Sequence, residues 1–188
     1  MSTGRVIHSM SVSLDGYISG PDGTFAWGMP SEELHRFHND RARETGLELY
    51  GRRLYEIMRF WETAEEDPER SDVERDFARV WKETPKLVFS RTLDEVEGNA
   101  TLFAGDPVEE VARLKQEPGK DLAVGGAGLA ATFVKAGLVD EYRLFVSPVV
   151  LGRGTPFFPA LEEPIGLELL ETRTFGPRVY LRYRSVRA

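Results

Sequence analysis

Short runs of alternating apolar and polar residues recur along the chain, separated by stretches with apolar residues three to four apart, a pattern of strands interleaved with helices. Val6, Ile7, Met10 and Val12, set among small polar residues, predict a first strand over residues 5–13. The segment Leu14-Asp15-Gly16-Tyr17-Ile18-Ser19-Gly20-Pro21-Asp22-Gly23 is dense in turn formers and reads as a long loop, a type of segment often kept for function. Ser31 can cap a helix opening Glu32-Glu33-Leu34, with Leu34, Phe37, Ala42 and Leu47 at roughly helical spacing. A strand over residues 47–50 ends at Gly51, and a helix opens near Arg52. Further along, Phe77, Val80 and Trp81 mark a helix, residues 86–90 and 101–104 short strands, and residues 107–115 another helix. Residues 121–125 form a buried-type strand, followed by Gly126-Ala127-Gly128 and a helix running to Lys135.

The β-prone run of residues 141–151 comes next, and the tail over residues 167–186 reads as two strands around Phe175-Gly176-Pro177. In its last arm Val179, Leu181 and Tyr183 share one face and Tyr180, Arg182 and Arg184 the other. Strands alternating with helices and then a hairpin predict a three-layer α/β/α arrangement, with a mostly parallel sheet and a C-terminal antiparallel hairpin. Residues 1–188 show no internal repeat or linker, so a single domain is expected.

Composition narrows the chemistry. Cysteine is absent, which removes disulfides, thiolate nucleophiles and Cys-ligated metal centres. With 24 basic against 31 acidic residues the net charge is −7, an unfavourable balance for nucleic-acid binding. No apolar run approaches the ~20 residues of a membrane span. Met1-Ser2-Thr3-Gly4-Arg5 leads directly into strand alternation without the features of a secretory signal, so a cytoplasmic location is expected. Eight acids crowd residues 62–76, which read as a solvated loop or helix start. Five arginines and no acid follow from Arg173 onward, a face expected to meet an acidic segment in a dimer. Glu32, His35 and His38 read as solvated helix residues and His8 as a core residue, and no metal is expected.

Three junctions carry candidate chemistry. In Leu122-Ala123-Val124-Gly125-Gly126-Ala127-Gly128-Leu129, glycines between strand and helix let backbone N–H groups approach a phosphate, or alternatively serve a tight turn. The spacing also fits a dinucleotide fingerprint, but no ribose-binding acid follows about 20 residues on and too little chain remains for a second half. Leu49-Tyr50-Gly51-Arg52-Arg53 puts two guanidinium groups after a strand, and Phe89-Ser90-Arg91-Thr92 ends another in a hydroxyl and an arginine. Ligands of open α/β sheets sit at such carboxyl edges.

The order of these motifs resembles the dihydrofolate reductase superfamily, and most nearly the reductase domain of the bifunctional riboflavin-biosynthesis deaminase-reductase and its stand-alone relatives. The resemblance rests on Ser9-Met10-Ser11-Val12-Ser13-Leu14-Asp15-Gly16-Tyr17-Ile18, Gly51-Arg52-Arg53-Leu54-Tyr55-Glu56, Phe89-Ser90-Arg91 and Val124-Gly125-Gly126-Ala127. Gly137-Leu138-Val139-Asp140-Glu141 and Ser147-Pro148-Val149-Val150-Leu151-Gly152-Arg153-Gly154 extend it over nearly the whole chain. It implies NADPH as hydride donor and a small heterocyclic or ribosylamino-pyrimidine-type substrate. By the same resemblance Gly51, Arg52, Arg53, Ser90 and Arg91 hold the 2′-phosphate side, and Gly125, Gly126, Ala127, Gly128 and Leu129 the pyrophosphate. Ser11, Ile18 and Gly20 lie by the nicotinamide, and Asp15, Trp27, Gly152, Arg153 and Thr155 on the substrate side. Asp15 and Glu33 (or its neighbour Glu32) are the candidate proton-handling carboxylates. A cis Gly-Gly peptide and a homodimer are further implied features. Leu54 departs from the family pattern, standing where Thr is frequent. Two other readings stay open: a non-catalytic nucleotide-binding or regulatory domain, and a reductase of a pterin- or folate-like substrate.

Overall fold

A computed structural model describes residues 4–186. Strands β1 (Val6–Ser13) and β2 (Tyr17–Ser19) are followed by α1 (Glu32–Arg43), β3 (Thr45–Gly51), α2 (Arg52–Met58) and α3 (Asp72–Glu83). Then come β4 (Lys86–Phe89), β5 (Ala100–Phe103), α4 (Pro107–Leu114), β6 (Asp121–Val124), α5 (Ala127–Lys135) and β7 (Glu141–Ser147). The chain closes with β8 (Thr155–Pro156), β9 (Gly166–Phe175) and β10 (Arg178–Val186). An eight-stranded sheet has the order β5-β4-β3-β6-β1-β7-β10-β9. All pairings from β5 to β7 are parallel, and β10 joins β7 antiparallel with β9 as its hairpin partner.

Helices cover both faces, because alternation along the central strands makes both faces apolar. On one face Val6, Met10 and Val12 of β1, Leu122 and Val124 of β6 and Tyr142 of β7 pack on Val111 of α4 and on Ala130, Phe133 and Val134 of α5. The other face carries two separate clusters. Leu34 and Phe37 of α1 meet Phe145, Phe175 and Tyr180 at one end, while Tyr55 and Trp81 of α2 and α3 meet Tyr50 and Val88 at the other. Between them, β1 and β6 turn only Ser9, Ser11, Ser13 and Ala123 to this face along their C-terminal halves, by alternation with the residues of the first core. Small hydroxyl and methyl side chains make up that stretch of the face.

Several boundaries differ from the sequence reading. Leu47 belongs to β3, not to the first helix, because α1 ends at Arg43 and a sharp return puts Thr45 beside Asp121. The strand expected to run to residue 151 stops at Ser147, ahead of Pro148. The long loop contains β2, which pairs with β8 in a separate two-stranded ribbon. The acidic segment is ordered: turns at Arg59–Glu62 and Ala64–Glu66 precede α3, which Ser71 and Glu74 start with a reciprocal capping box. The arginine face of the tail is neutralised from within. Arg182 reaches the buried Glu141 at 2.8 Å, where Arg143 (2.6 Å) and Arg5 (2.8 Å) also converge, and Arg173 and Arg184 pair with Glu171 and Glu168 of β9. Among the described arginines of the tail, Arg178 alone has no carboxylate within 4.0 Å. Among the described residues every peptide bond is trans, Gly125–Gly126 included, and no helix is long and apolar enough to cross a membrane.

Candidate functional site

Parallel strands end together, so the turns after β1, β3, β4, β6 and β7 share one edge of the sheet. The β6–α5 turn is shaped by two glycines. A Cβ on Gly125 would lie 2.5 Å from Cδ2 of Leu54, and Gly126 sits at φ +81° with the Leu54 side chain 3.6 Å from its own would-be Cβ. Leu54, in the position where the resemblance leads one to expect Thr, is thus the floor of this turn. Gly51 closes the junction from the β3 side, its would-be Cβ 3.8 Å from Leu129.

The helices start in two ways. Ser31, Ser71 and Asp106 cap α1, α3 and α4 with their side chains. The two that follow β3 and β6 directly, α2 and α5, start from Gly51 and Gly126 with no side-chain cap. At α5 this leaves first-turn N–H groups available beside Gly128, whose Cα faces open space.

The neighbouring junction is polar. Arg52 donates from Nη1 to Oγ1 of Thr92 (2.9 Å) and from Nε to Glu56 (2.7 Å). Ser90 Oγ accepts from the amides of Thr92 (3.2 Å) and Leu93 (3.1 Å). Arg52, Ser90 and Thr92 therefore form one corner, joined through Leu54 to Gly125 and Gly126. Arg53 and Arg91 flank it, exposed to solvent.

The arginines as a set are informative. Among the described residues, every arginine has a carboxylate within 4.0 Å except Arg53, Arg91, Arg153 and Arg178. Those four follow β3, β4 and β7 or open β10, which runs antiparallel to β7, so all lie at the shared edge. In a chain with 31 acids against 24 bases, the arginines without an adjacent carboxylate thus collect on one edge.

On the other side of β1 the edge opens into a hollow of about 440 Å³ bounded by Trp27, the start of α1, the end of β7 and the β9–β10 turn. Ser11 and Ser13 lie on the sheet face between this hollow and the glycine turn. Ile18 is 8% exposed and packs in the main core, so only its backbone remains for a ligand. Gly20 is buried in a tight turn, its N–H on the Thr24 carbonyl at 2.9 Å. Gly154, at φ +148°, lies so close to the Ser19 carbonyl that any Cβ would sit 2.0 Å from it, and Thr155 pairs with Ser19. Gly152, Gly154 and Thr155 thus buttress the β1–β2 loop, and Arg153 between them is exposed.

The two candidate proton-handling carboxylates, Asp15 and Glu33, are both exposed. Asp15 accepts from Ser13 Oγ (2.7 Å), Gly152 N (2.7 Å) and Leu151 N (3.1 Å). The Ser13 hydroxyl first, then the two amides, hold it down to about 2, so it is an anion clamping the loop after β7 and carries no proton to deliver. Glu33 is exposed on the first turn of α1, and its neighbour Glu32 pairs with Arg36; neither borders the hollow. His35 packs on Trp61 and Phe77 while His38 packs on Phe145, and His8 is buried against Phe157.

Thr92 and Ser147 stand in motifs already named, without a role assigned to them there, and the structure brings both to this edge. Arg178 was singled out by no motif and carries no local signal, because the fold alone brings the end of β7 beside the start of β10.

Comparison with known proteins gives the family and the fold. The RibD C-terminal domain family matches residues 5–181. The Bacillus subtilis (strain 168) protein YyaP is 37% identical over 176 residues, spanning 93% of this chain and 91% of that one. YwjB of the same organism is 30% identical over 182 residues, 95% and 97% of the two chains. Among solved structures, a Shewanella sp. PV-4 protein ascribed to riboflavin biosynthesis superposes with a TM-score of 0.77 at 22% identity, covering 97% of this chain and 99% of that one. The Thermotoga maritima diaminohydroxyphosphoribosylaminopyrimidine deaminase/5-amino-6-(5-phosphoribosylamino)uracil reductase gives 0.69 at 16%, covering 98% of this chain and 57% of that one. Dihydrofolate reductase from Enterococcus faecalis, complexed with NADP(H), gives 0.62 at 17%, covering 98% of each. These likenesses give the fold, and the sequence match over residues 5–181 gives the relationship: the chain belongs to the RibD C-terminal domain family.

Proposed function

We propose that the protein is an NADPH-dependent reductase of a small heterocyclic or ribosylamino-pyrimidine-type substrate. One observation carries the reading: the acid-free arginines and the uncapped glycine turn of α5 share a single sheet edge. That donor set suits a dinucleotide bearing an extra phosphate. Arg53 and Arg91, with the Arg52–Ser90–Thr92 corner, would hold the 2′-phosphate. The N–H groups of residues 126–129 would meet the pyrophosphate, in a turn that packs on Leu54 so closely that a Cβ at Gly125 would distort it. Bound there, NADPH supplies the hydride. The chain contributes position and dryness: the small β1 side chains make room for two rings on the sheet face, and Asp15 pins the loop after β7 over them. Naming of the NADP(H)-bound Enterococcus and uracil-reductase Thermotoga neighbours supports the same chemistry.

The pterin- or folate-like alternative is disfavoured by the hollow, which no carboxylate borders among the described residues. Fluorescence titration tests the cofactor assignment. NADPH is expected to bind at least ~10-fold more tightly than NADH, and Arg91→Ala to remove most of that preference, as loss of a charge-assisted contact requires. Equal affinity of the native protein for the two dinucleotides would overturn the assignment. Tight NADPH binding without oxidation across a panel of pyrimidine, pterin and flavin substrates would instead support a regulatory module.

A further inference from the structure

The hollow beside Trp27 is walled by the carbons of Met29, Pro148, Val149 and Phe175, a surface suited to a flat apolar body. Trp27, Ser147 and Arg178 complete the lining, while Ser31 turns its hydroxyl to the amide of Leu34 in its own helix. The indole Nε1 of Trp27 and Oγ of Ser147, a residue 2% exposed, are both buried without a partner among the described residues. Arg178 gives one Nη2 hydrogen to the Trp27 carbonyl at 2.7 Å, and no carboxylate of the described residues stands within 4.0 Å of it. Among the described residues its remaining N–H groups have no acceptor. His38, also near Arg178, adds no charge at neutral pH: burial first, then His35 and Arg178, push it down to about 4.

This inventory has a sign. Indole and guanidinium groups only donate, and a hydroxyl can do either. An unmatched donor in a dry pocket is costly, so the complementary ligand must bring acceptors. We propose that Arg178 is the specificity anchor of this hollow, which takes a planar ring with an acceptor edge (carbonyl or carboxylate oxygens) and a negative charge directed at Arg178. The inference depends on the reductase reading for calling that ring the substrate. A ring edged with amino groups offers Arg178 no acceptor and is expected to bind more weakly.

Isothermal titration of the full chain, alone and with saturating NADPH, tests the anchor with 2-naphthoate, 2-naphthamidine and 2,4-diaminoquinazoline as probes. Naphthoate is expected to bind and the two donor-edged rings to bind at least ~10-fold more weakly. Arg178→Met should weaken naphthoate about tenfold or more, and Arg178→Lys should recover part of the loss. Trp27→Phe, which removes only the indole N–H and some ring area, should weaken it a further few-fold and serves if Arg178→Met does not fold. Naphthoate binding unchanged in Arg178→Met, or no tighter than diaminoquinazoline in the native protein, overturns the proposal. Absence of NADPH binding would refute the reductase reading, while an Arg178-dependent naphthoate site would still stand.

Discussion

Gly125 and Gly126 are adjacent in the β6–α5 turn for different physical reasons, and substitution separates them. A methyl group on Gly125 would sit 2.5 Å from Cδ2 of Leu54 and 3.5 Å from the Tyr50 ring. Carbon atoms settle about 3.5–4.0 Å apart, so Leu54 or the turn must retreat by roughly 1 Å. Overpacking of that size costs about 1–3 kcal/mol. On Gly126 the nearest atom would be 3.6 Å away, an ordinary contact, but φ +81° and ψ 132° lie where side chains are strained, again at about 1–3 kcal/mol. Either alanine should lower the melting temperature by about 2–4 °C per kcal/mol in a chain of this size. Leu54→Ala distinguishes them. It should rescue Gly125→Ala, with a coupling energy of about 1 kcal/mol or more in a double-mutant cycle, and leave Gly126→Ala unrescued. Thermal melts and NADPH titrations on the six proteins of the two cycles read both stability and the shape of the turn. Equal rescue at both positions, or none at Gly125, would refute the division between steric and dihedral causes.

Acid should destabilise the fold through its buried histidines. Burial holds His8 at about 4 and His38 likewise, below the 6.5 of an unfolded chain, so the unfolded state takes up protons that the folded state refuses as pH falls from above 6.5 towards 4. Each costs about 2 kcal/mol by pH 5. Glu48, raised to about 7 by burial, works oppositely over the same range, so the test is a difference: urea melts between pH 7.5 and 5 should show a shallower loss in His8→Gln than in the native protein, and parallel curves would refute it. We also propose that a second copy covers Leu167, Leu169 and Leu170 of the edge strand β9, which are 38%, 52% and 40% exposed on this chain. Sedimentation should then find a dimer that Leu169→Glu dissociates, whereas a native monomer would refute it.

Alternation and helical spacing determined the strand and helix order, because each element's period is local: β1 reads from Val6 to Val12 without knowledge of β7. Turn chemistry determined which junctions could meet an anion, since glycine after β6 and arginine after β3 and β4 are properties of a few consecutive residues. Tertiary structure decided what those residues do. Nothing near Asp15 in sequence reveals that Leu151 and Gly152 would occupy its carboxylate, and nothing near Glu33 reveals that its turn of α1 faces solvent. Leu54 looked like a lost hydroxyl until folding set it beneath Gly125. Arg178 became a candidate anchor only when antiparallel pairing of β10 with β7 carried it to Trp27 and left it, unlike the arginines further along its own strand, without an acid. Pairings across more than a hundred residues are set by the sheet, and a carboxylate or guanidinium takes its role from the partner that the sheet delivers.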